Sequence, residues 1–276
     1  MSQLNNPSGP PGLWPVQWPA HPRVRACMTV RSGGVSAAPW DSFNLAEHVG
    51  DDPRAVSANR ALLAECLGVA PLFMAQVHGV TVLDLAQGLT GPADACLSAS
   101  PDQVCTVMVA DCLPVLLADR QGRWVGAAHA GWRGLAGALP DLAPAEANAG
   151  VLEALVQALG QRGVQPQDLM AWLGPCIGPE QFEVGDEVRA AFCTTVPDAA
   201  LHFRPADREG HWWADLPALA RQRLQALGVT AIFGNDGGAS WCTVSQPSLF
   251  FSHRRDSRVH GSTGRMAAMV WLAEDC

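Results

Sequence analysis

The sequence contains neither lysine nor tyrosine, although it has 276 residues that include ten tryptophans and eight phenylalanines. All 18 basic residues are therefore arginines. Without lysine, the chain has no side chain for a Schiff base and none for the lysine position of a phosphate-binding P-loop. Without tyrosine, it has no phenolic acid or base. Recognition of an anion by this protein must rest on arginine, backbone N–H groups or a metal ion.

Charged residues are also scarce. They make up 16% of the sequence against 48% for hydrophobic residues, and the formal net charge is −8. This composition excludes a chain that is disordered throughout and argues against non-specific binding to nucleic acid. No apolar run reaches the roughly 18 residues of a membrane span, and the N-terminus lacks the pattern of a secretory signal. We therefore predict no nucleic-acid partner and no membrane partner.

The nine cysteines are odd in number and scattered, and no CxxC pair occurs. This distribution favours reduced thiols in the cytoplasm over a disulfide framework. Most of the cysteines are expected to pack as small buried side chains. The oligomeric state stays open between a monomer and a small homo-oligomer.

Turn-forming residues indicate how the chain is organised. Residues 1–22 are rich in proline, glycine and asparagine and are predicted to form a loose lead-in to a single domain over 23–276. A predicted helix begins after Asp52 and ends near Leu67. Elsewhere short apolar runs alternate with segments of helical spacing, and several predicted strands follow one another directly. The pattern predicts an α/β fold with a mixed sheet.

Three polar residues interrupt apolar strand segments. His78 lies between two apolar runs, Cys112 lies within VMVADCLPVLL, and His129 lies near the end of a predicted strand. Two imidazoles and a thiolate suit zinc, and three protein ligands leave open the fourth position that catalytic zinc sites keep free. Taken singly, each residue could instead be a hydrogen-bonded core histidine or an inert buried cysteine. The spacing is not that of a zinc finger.

The residues beside Cys112 carry two further predictions. Asp111 is a carboxylate in a very apolar stretch, which is costly unless partners satisfy it. Pro114 cannot donate a hydrogen bond to a sheet. We therefore predict that Pro114 stops the strand and that Cys112 lies at a strand end or bulge.

Arginines near glycine turns are the candidate anion-binding side chains. Arg133 lies at a predicted helix start, where backbone N–H groups also favour an anion. Arg31 begins the glycine-rich turn RSGGVS, and Asn44 and His48 follow in the same long loop. Arg133 could instead be a surface arginine that pairs with a carboxylate, and RSGGVS could be an ordinary turn. Asn44 and His48 could belong to a cap for the next helix. The segment FFSHRRDS either binds an anion or combines buried phenylalanines with solvated arginines.

Several motifs together resemble a known family. They are, in chain order, RSGGVSAAPWDSFNLAEHVGDDP, QVHG, ADCLPVLLADR, AAHAGWRG, GPCIGPEQFEVGDEV, CTVSQPSLFFSHRRDS and TGRMAAMVWL. Over about residues 13–273 the chain resembles the DUF152 group. This group has been called the laccase-like multicopper polyphenol oxidase family and the peptidoglycan editing factor family. It has also been described as purine nucleoside phosphorylase and adenosine deaminase.

The resemblance implies a single three-layer α/β/α domain with a mixed sheet. It implies metal ligands at His78, Cys112 and His129, the same three residues that interrupt the apolar pattern. Zinc is the metal implied first, with copper as the alternative. One position departs from the family, because His253 stands where the family usually has tyrosine in this motif. If that side chain touches substrate, specificity or the local pKa will differ.

The implied function is that of a catalytic domain acting on purine nucleosides and phosphate. It is a zinc-dependent purine nucleoside phosphorylase for adenosine, inosine, guanosine and methylthioadenosine, with adenosine deaminase activity. The expected catalytic residues are Asp111, Cys112 and Arg133, with Asp111 moving protons and Arg133 holding phosphate. The expected substrate-binding residues are Arg31, Asn44, His48, Arg133 and His253.

Two other functions use the same residues. A hydrolase that edits peptidoglycan precursors would use Cys112 as its nucleophile with a histidine as base. A laccase-like polyphenol oxidase would need a trinuclear copper centre supplied by many histidines, usually as HxH pairs. The chain has eight histidines and no HxH pair, which disfavours the oxidase.

Overall fold

The computed structural model describes residues 12–88, 90–137 and 149–274. Within these ranges the strands are β1 (Leu13–Pro15), β2 (Val24–Thr29), β3 (Pro71–Phe73), β4 (Val82–Asp84), β5 (Ala95–Ser98), β6 (Val104–Val109), β7 (Leu113–Asp119), β8 (Val125–Ala130), β9 (Leu169–Leu173), β10 (Glu183–Gly185), β11 (Phe203–Pro205), β12 (His211–Ala214), β13 (Ala231–Gly234) and β14 (Met266–Leu272). The α-helices are α1 (Pro53–Leu67), α2 (Trp132–Ala136), α3 (Val151–Gln161), α4 (Asp186–Cys193), α5 (Leu216–Ala226) and α6 (His253–His260). None of these helices has the length and apolar character needed to cross a membrane.

The strands form two large sheets and one small one. The first sheet has the order β1-β2-β14-β6-β3, and the second has the order β13-β9-β7-β8-β5-β4. Both are mixed, because β3 runs parallel to β6 in the first sheet, whereas β4–β5 and β9–β13 are parallel pairs in the second. The small sheet β10-β12-β11 is antiparallel. The predicted α/β class with mixed sheets is confirmed.

The two large sheets pack face to face. Val107 of the first sheet and Leu116 of the second are both fully buried in one apolar cluster between them. Helix α1 covers the outer face of the first sheet through Leu63. Helices α3 and α5 cover the outer face of the second sheet. The layer order is therefore helix, sheet, sheet, helix, which differs from the expected single sheet between two helical layers.

Local sequence explains the longest helix. The Asp52 side chain accepts a hydrogen bond from the Arg54 N–H, and Pro53 occupies the first helical position, where its missing N–H costs nothing. Gly68 ends the helix in the left-handed conformation, with a φ of 71°. The predicted helix over 53–67 is confirmed.

Two predictions about the strands need correction. Pro114 does not stop a strand but lies at the second position of β7, opposite His129. The strand tolerates it because its carbonyl still accepts a hydrogen bond from the Gly174 N–H, and the missing N–H lies near the strand start. Residues 13–15 of the predicted loose lead-in form β1, which pairs with β2. Residues 1–11 of that lead-in lie outside the described residues.

Candidate metal centre and its cavity

The three predicted metal ligands meet at one end of the second sheet. Cys112 directly precedes β7, and His129 is the penultimate residue of β8. Because β7 and β8 are antiparallel, the start of one lies beside the end of the other. His78 reaches the same place from the connection between β3 and β4. The sheet register therefore brings together side chains that are far apart in sequence.

Asp94, the residue before β5, holds two of these ligands. Its carboxylate is fully buried and lies 2.7 Å from Nδ1 of His129. It also accepts hydrogen bonds from the backbone N–H groups of Val77 at 3.1 Å, His78 at 2.9 Å and Gly79 at 2.6 Å. These bonds fix the turn that carries His78, whose φ of 61° lies in the left-handed region. Because Nδ1 of His129 is engaged, its Nε2 is left to face the site.

The donor atoms fit a single metal ion. Cys112 Sγ lies 3.8 Å from His78 Nε2, and the ligand atoms of all three residues lie within 4.8 Å of one another. Tetrahedral zinc ligands lie roughly 3.3–3.7 Å apart, so a small inward movement of the side chains would complete the coordination. Gly131 keeps this space open, since a Cβ there would lie 3.0 Å from Cys112 Sγ. Among the described residues this is the one cluster of three such donors.

The electrostatics favour a thiolate at Cys112. Burial of the thiol raises its pKa, but the charges and hydrogen bonds of His129 and His78 outweigh burial and lower the pKa of Cys112 to about 6. For His129, burial lowers the pKa, but Cys112 and Asp94 outweigh it and raise the pKa to about 9. A thiolate, rather than a thiol, is the form of cysteine that binds a metal or acts as a nucleophile.

A cavity of about 350 Å³ opens from the three ligands. Its size falls in the range of pockets that hold small organic ligands. The walls are mainly apolar, with polar and charged groups at a few positions. The residues that line it are His48, Gln76, His78, Met108, Val109, Ala110, Asp111, Cys112, His129, Trp132, Ile177, Phe182, Leu216, His253, Arg254 and Arg265.

Asp111 lines the cavity, but its carboxylate is engaged by the protein. Its Oδ1 accepts a hydrogen bond from the Thr243 hydroxyl at 2.5 Å, and its Oδ2 accepts one from the Arg254 N–H at 2.6 Å. Its backbone has a φ of 91°, and its carbonyl accepts a hydrogen bond from the Ile177 N–H at 2.9 Å. These contacts hold the turn that presents Cys112.

Two predicted substrate-binding residues, His48 and His253, line the cavity. Burial lowers the pKa of His48 below its usual value, and the positive charges of Arg265 and Arg60 lower it further. His48 therefore presents a neutral imidazole at pH 7, which can both donate and accept a hydrogen bond. His253 is the exposed first residue of α6.

Three predicted residues lie outside the cavity lining. Arg31 is held by the Asp41 carboxylate and by the carbonyls of Asp41 and Pro247. Asn44 is fully buried, and its side chain bonds to Ala46, to Asp51 and to the Arg265 N–H. Arg133 is exposed, with its guanidinium 4.4 Å from the ring centre of its neighbour Trp132.

The segment FFSHRRDS agrees in part with the second of its two predicted interpretations. Phe250 and Phe251 are fully buried, as expected of core residues. The two arginines are half-buried instead of solvated. Arg254 donates to the Glu183 carbonyl, and Arg255 donates to the carbonyls of residues 243, 244 and 250.

Sequence reasoning missed two charged residues of the site, Asp94 and Arg265. Each directly precedes an apolar strand, β5 for Asp94 and β14 for Arg265. A charged residue at a strand start usually faces solvent, so the position alone gave no reason to select either. The only available signal was a charged residue beside a run of apolar residues. It resembles the signal that identified Cys112, a polar residue within an apolar stretch.

Comparison with known families assigns the chain to one of them. The family model described as multi-copper polyphenol oxidoreductase laccase matches residues 25–273, and the chain belongs to this family. The resemblance to the DUF152 group is confirmed. The chain is 52% identical over 257 residues to a purine nucleoside phosphorylase of Pseudomonas aeruginosa, covering 93% of this chain and 97% of that protein.

Other relatives agree with this assignment. The chain is 45% identical over 260 residues to the purine nucleoside phosphorylase YfiH of Escherichia coli, covering 93% of this chain and 97% of that protein. A crystal structure of a Neisseria meningitidis protein of the DUF152 family matches with a TM-score of 0.83 and 41% identity. That match covers 95% of this chain and all of the other.

Proposed function

We propose that the chain is a metal-dependent purine nucleoside phosphorylase, with the catalytic domain over 23–276. The observation that carries this proposal is the convergence of His78, Cys112 and His129 at a cavity of about 350 Å³ that also contains arginine side chains. Two relatives that match over almost the whole chain are purine nucleoside phosphorylases, which supports the same reaction. The substrates are then a purine nucleoside and inorganic phosphate.

The reaction balances without a further reactant. A phosphate oxygen forms a bond to C1′ of the ribose while the bond from C1′ to N9 of the purine breaks. The electron pair of that bond leaves with the base, which takes up the proton that the phosphate gives up. The protein has to hold the nucleoside and the phosphate together and to stabilise the charge that develops between them.

The residues of the cavity can perform these tasks. His78, Cys112 and His129 would hold zinc or copper, and such an ion supplies Lewis acidity when it is bound. Asp111 positions Cys112 through its bonds to Thr243 and to the backbone of Arg254. The neutral imidazole of His48 offers a donor and an acceptor to a polar group of the substrate.

Several finer features belong to this proposal. Zinc is the preferred metal, because a donor set of two imidazoles and a thiolate is typical of zinc sites. Deamination of adenosine and phosphorolysis of methylthioadenosine are proposed as further activities of the same cavity. A cytoplasmic location is supported by the free thiols of all eight described cysteines.

Two other functions remain as alternatives. The lowered pKa of Cys112, beside two histidines, is also what a cysteine nucleophile requires, so a peptidoglycan-precursor editing hydrolase is the second candidate. The family description favours a copper oxidase. A trinuclear copper centre needs more histidines than the one three-donor cluster found among the described residues.

The deciding experiment compares wild-type protein with Cys112→Ala, and uses Cys66→Ala as the matched control because Cys66 is exposed. Bound metal is measured, and hypoxanthine release from inosine is followed with and without phosphate. Wild type and Cys66→Ala are expected to release hypoxanthine only with phosphate. Cys112→Ala is expected to lose both its metal and at least about 99% of this activity.

Two results would contradict the proposal. One is phosphorolysis that persists in metal-free Cys112→Ala. The other is release of an amino acid from a peptidoglycan precursor without turnover of any nucleoside, which would favour the editing hydrolase.

A further inference from the structure

Arg265 occupies an unusual position for an arginine. It lines the cavity together with the three candidate metal ligands, yet it directly precedes the buried strand β14. Burial lowers its pKa, while the negative charges of Cys112 and Asp111 partly offset that effect. An arginine stays charged under such conditions, so Arg265 brings a positive charge into a largely apolar cavity.

The backbone around Arg265 is held firmly by the loop that contains Asn44. The Asn44 side chain accepts a hydrogen bond from the Arg265 N–H at 2.9 Å. The Arg265 carbonyl accepts one from the Leu45 N–H at 3.3 Å. Asn44, which was predicted to bind substrate, thus lies behind the cavity wall and holds the backbone of Arg265, whose side chain reaches the cavity.

The guanidinium of Arg265 has donors to spare. Its Nη1 donates to the carbonyls of Thr263 at 2.9 Å and Gly264 at 3.2 Å. Its Nε and Nη2 form no hydrogen bond with any residue in the described part of the chain, and no carboxylate there forms an ion pair with it. By contrast, Arg255 pairs with Asp256 and Arg223 pairs with Glu153. A guanidinium with free donors matches the bidentate geometry of a phosphate.

The other arginine of the cavity is less suited to bind an anion. Both terminal nitrogens of Arg254 donate to the Glu183 carbonyl at 3.1 Å, which ties the side chain to β10. Its backbone N–H is engaged by Asp111. Arg31 and Arg133 lie outside the cavity lining.

We propose that Arg265 is the anion-binding side chain of the cavity and that it holds the phosphate co-substrate beside the metal centre. This assignment rests on the proposed phosphorylase function. Arg265 thereby takes the role that sequence reasoning gave to Arg133 or Arg31.

The test uses metal-loaded full-length protein and three variants. Arg265→Met removes the charge at similar length, Arg265→Lys keeps the charge but not the planar fork, and Arg54→Met alters an exposed arginine of α1 as control. The KM for phosphate and the KM for inosine are measured separately, together with bound metal. Binding of inorganic phosphate without nucleoside is measured by calorimetry.

Arg265→Met is expected to raise the KM for phosphate at least about tenfold, while the KM for inosine and the metal content stay within about twofold of wild type. Arg265→Lys is expected to give an intermediate value, and Arg54→Met to match wild type. An unchanged KM for phosphate in metal-loaded Arg265→Met would overturn the assignment. An equal rise in the KM for phosphate and the KM for inosine would also overturn it, because that result indicates a general role in shaping the site.

The phosphate-binding measurement separates this proposal from the proposed function. If wild type cleaves no nucleoside, the phosphorylase proposal fails. Phosphate binding that is present in wild type and weaker by about twofold or more in Arg265→Lys, which keeps the charge but not the planar fork, would still support the anion site. Binding by the two proteins that agrees within about twofold would overturn it. This comparison also serves if Arg265→Met does not fold.

Discussion

One buried carboxylate, that of Asp94, connects two of the three candidate ligands. It bonds to the imidazole of His129 and to the backbone of the turn that carries His78. Burial raises the pKa of Asp94, but the bonds and charge of His129 and the backbone N–H groups outweigh it, so the pKa lies below its usual value. Asp94 therefore stays ionised and orients His129 at neutral pH.

Asp94→Asn tests this role at the scale of one residue. The amide nitrogen would face N–H donors wherever it points, so the turn at His78 and the orientation of His129 should both suffer. We expect metal affinity to fall by about 10–100-fold, measured by competition with a chromophoric chelator. Asp207→Asn, at an exposed aspartate, is the control. Wild-type affinity in Asp94→Asn would show that Asp94 does not support the metal site.

The sequence pointed to the candidate metal ligands more clearly than to the residues that support them. His78, Cys112 and His129 interrupt apolar segments, and both the residue pattern and the family resemblance select them. Asp94 and Arg265 act through contacts with distant segments, and no local pattern encodes such contacts. The loop residues Arg31 and Asn44 were predicted to touch substrate because loop polarity does not reveal which side chains the loop itself uses.

At the scale of elements, helix α6 is attached to its surroundings through Asp256. This carboxylate pairs with Arg255 at 2.6 Å and accepts hydrogen bonds from the Ser252 N–H at 3.1 Å and the Thr263 hydroxyl at 2.9 Å. Burial raises the pKa of Asp256, but these partners outweigh it, and the pKa lies below its usual value. Asp256 thereby connects the start of α6 to the segment leading into β14.

A dependence of stability on pH follows from this lowered pKa. Because the folded pKa is below the unfolded one, Asp256 stabilises the protein fully above about pH 4, and this contribution is lost as the pH falls through the folded pKa. Asp256→Asn is expected to reduce the free energy of unfolding by about 1–3 kcal/mol at pH 7 and by less at pH 3. Urea unfolding at both pH values measures the difference, with Asp207→Asn as the control. An equal loss at both would refute an electrostatic contribution.

Elements were predictable where their signals are local. Helix α1 has a capping aspartate, a proline at its first position and a terminal glycine, and its predicted bounds are correct. Strand β14 likewise coincides with an uninterrupted apolar run, MAAMVWL. Pro114 misled the prediction because a proline at the start of a strand resembles one that ends it.

At the scale of the whole molecule, the arrangement of the sheets depends on contacts between distant parts of the chain. Strand β14, near the C-terminus, lies between β2 and β6 and completes the first sheet. Hydrophobic patterning predicts that these strands exist but not which of them pair. For the same reason, the sequence predicted one sheet where the structure has two that stack.

The candidate metal site joins segments at residues 78, 112 and 129, so a bound metal should stabilise the fold as a whole. An ion that binds only the folded state adds about 2.7 kcal/mol at a hundred times its Kd, or roughly 5–10 °C in Tm for a chain of this size. Removal of the metal with a chelator should lower the Tm of wild type and of Cys66→Ala by that amount. Calorimetry should detect no chelator effect in Cys112→Ala, and a persistent effect would place the stabilising metal elsewhere.

The three ligands differ greatly in their access to solvent, and this sets an order for metal exchange. His78 is exposed, whereas His129 is only 3% exposed and is bonded to Asp94. A competing chelator that arrives from solvent reaches His78 first, while His129 is the last ligand to be released. Exchange of the metal is therefore expected to begin at His78 and to be completed by the release of His129.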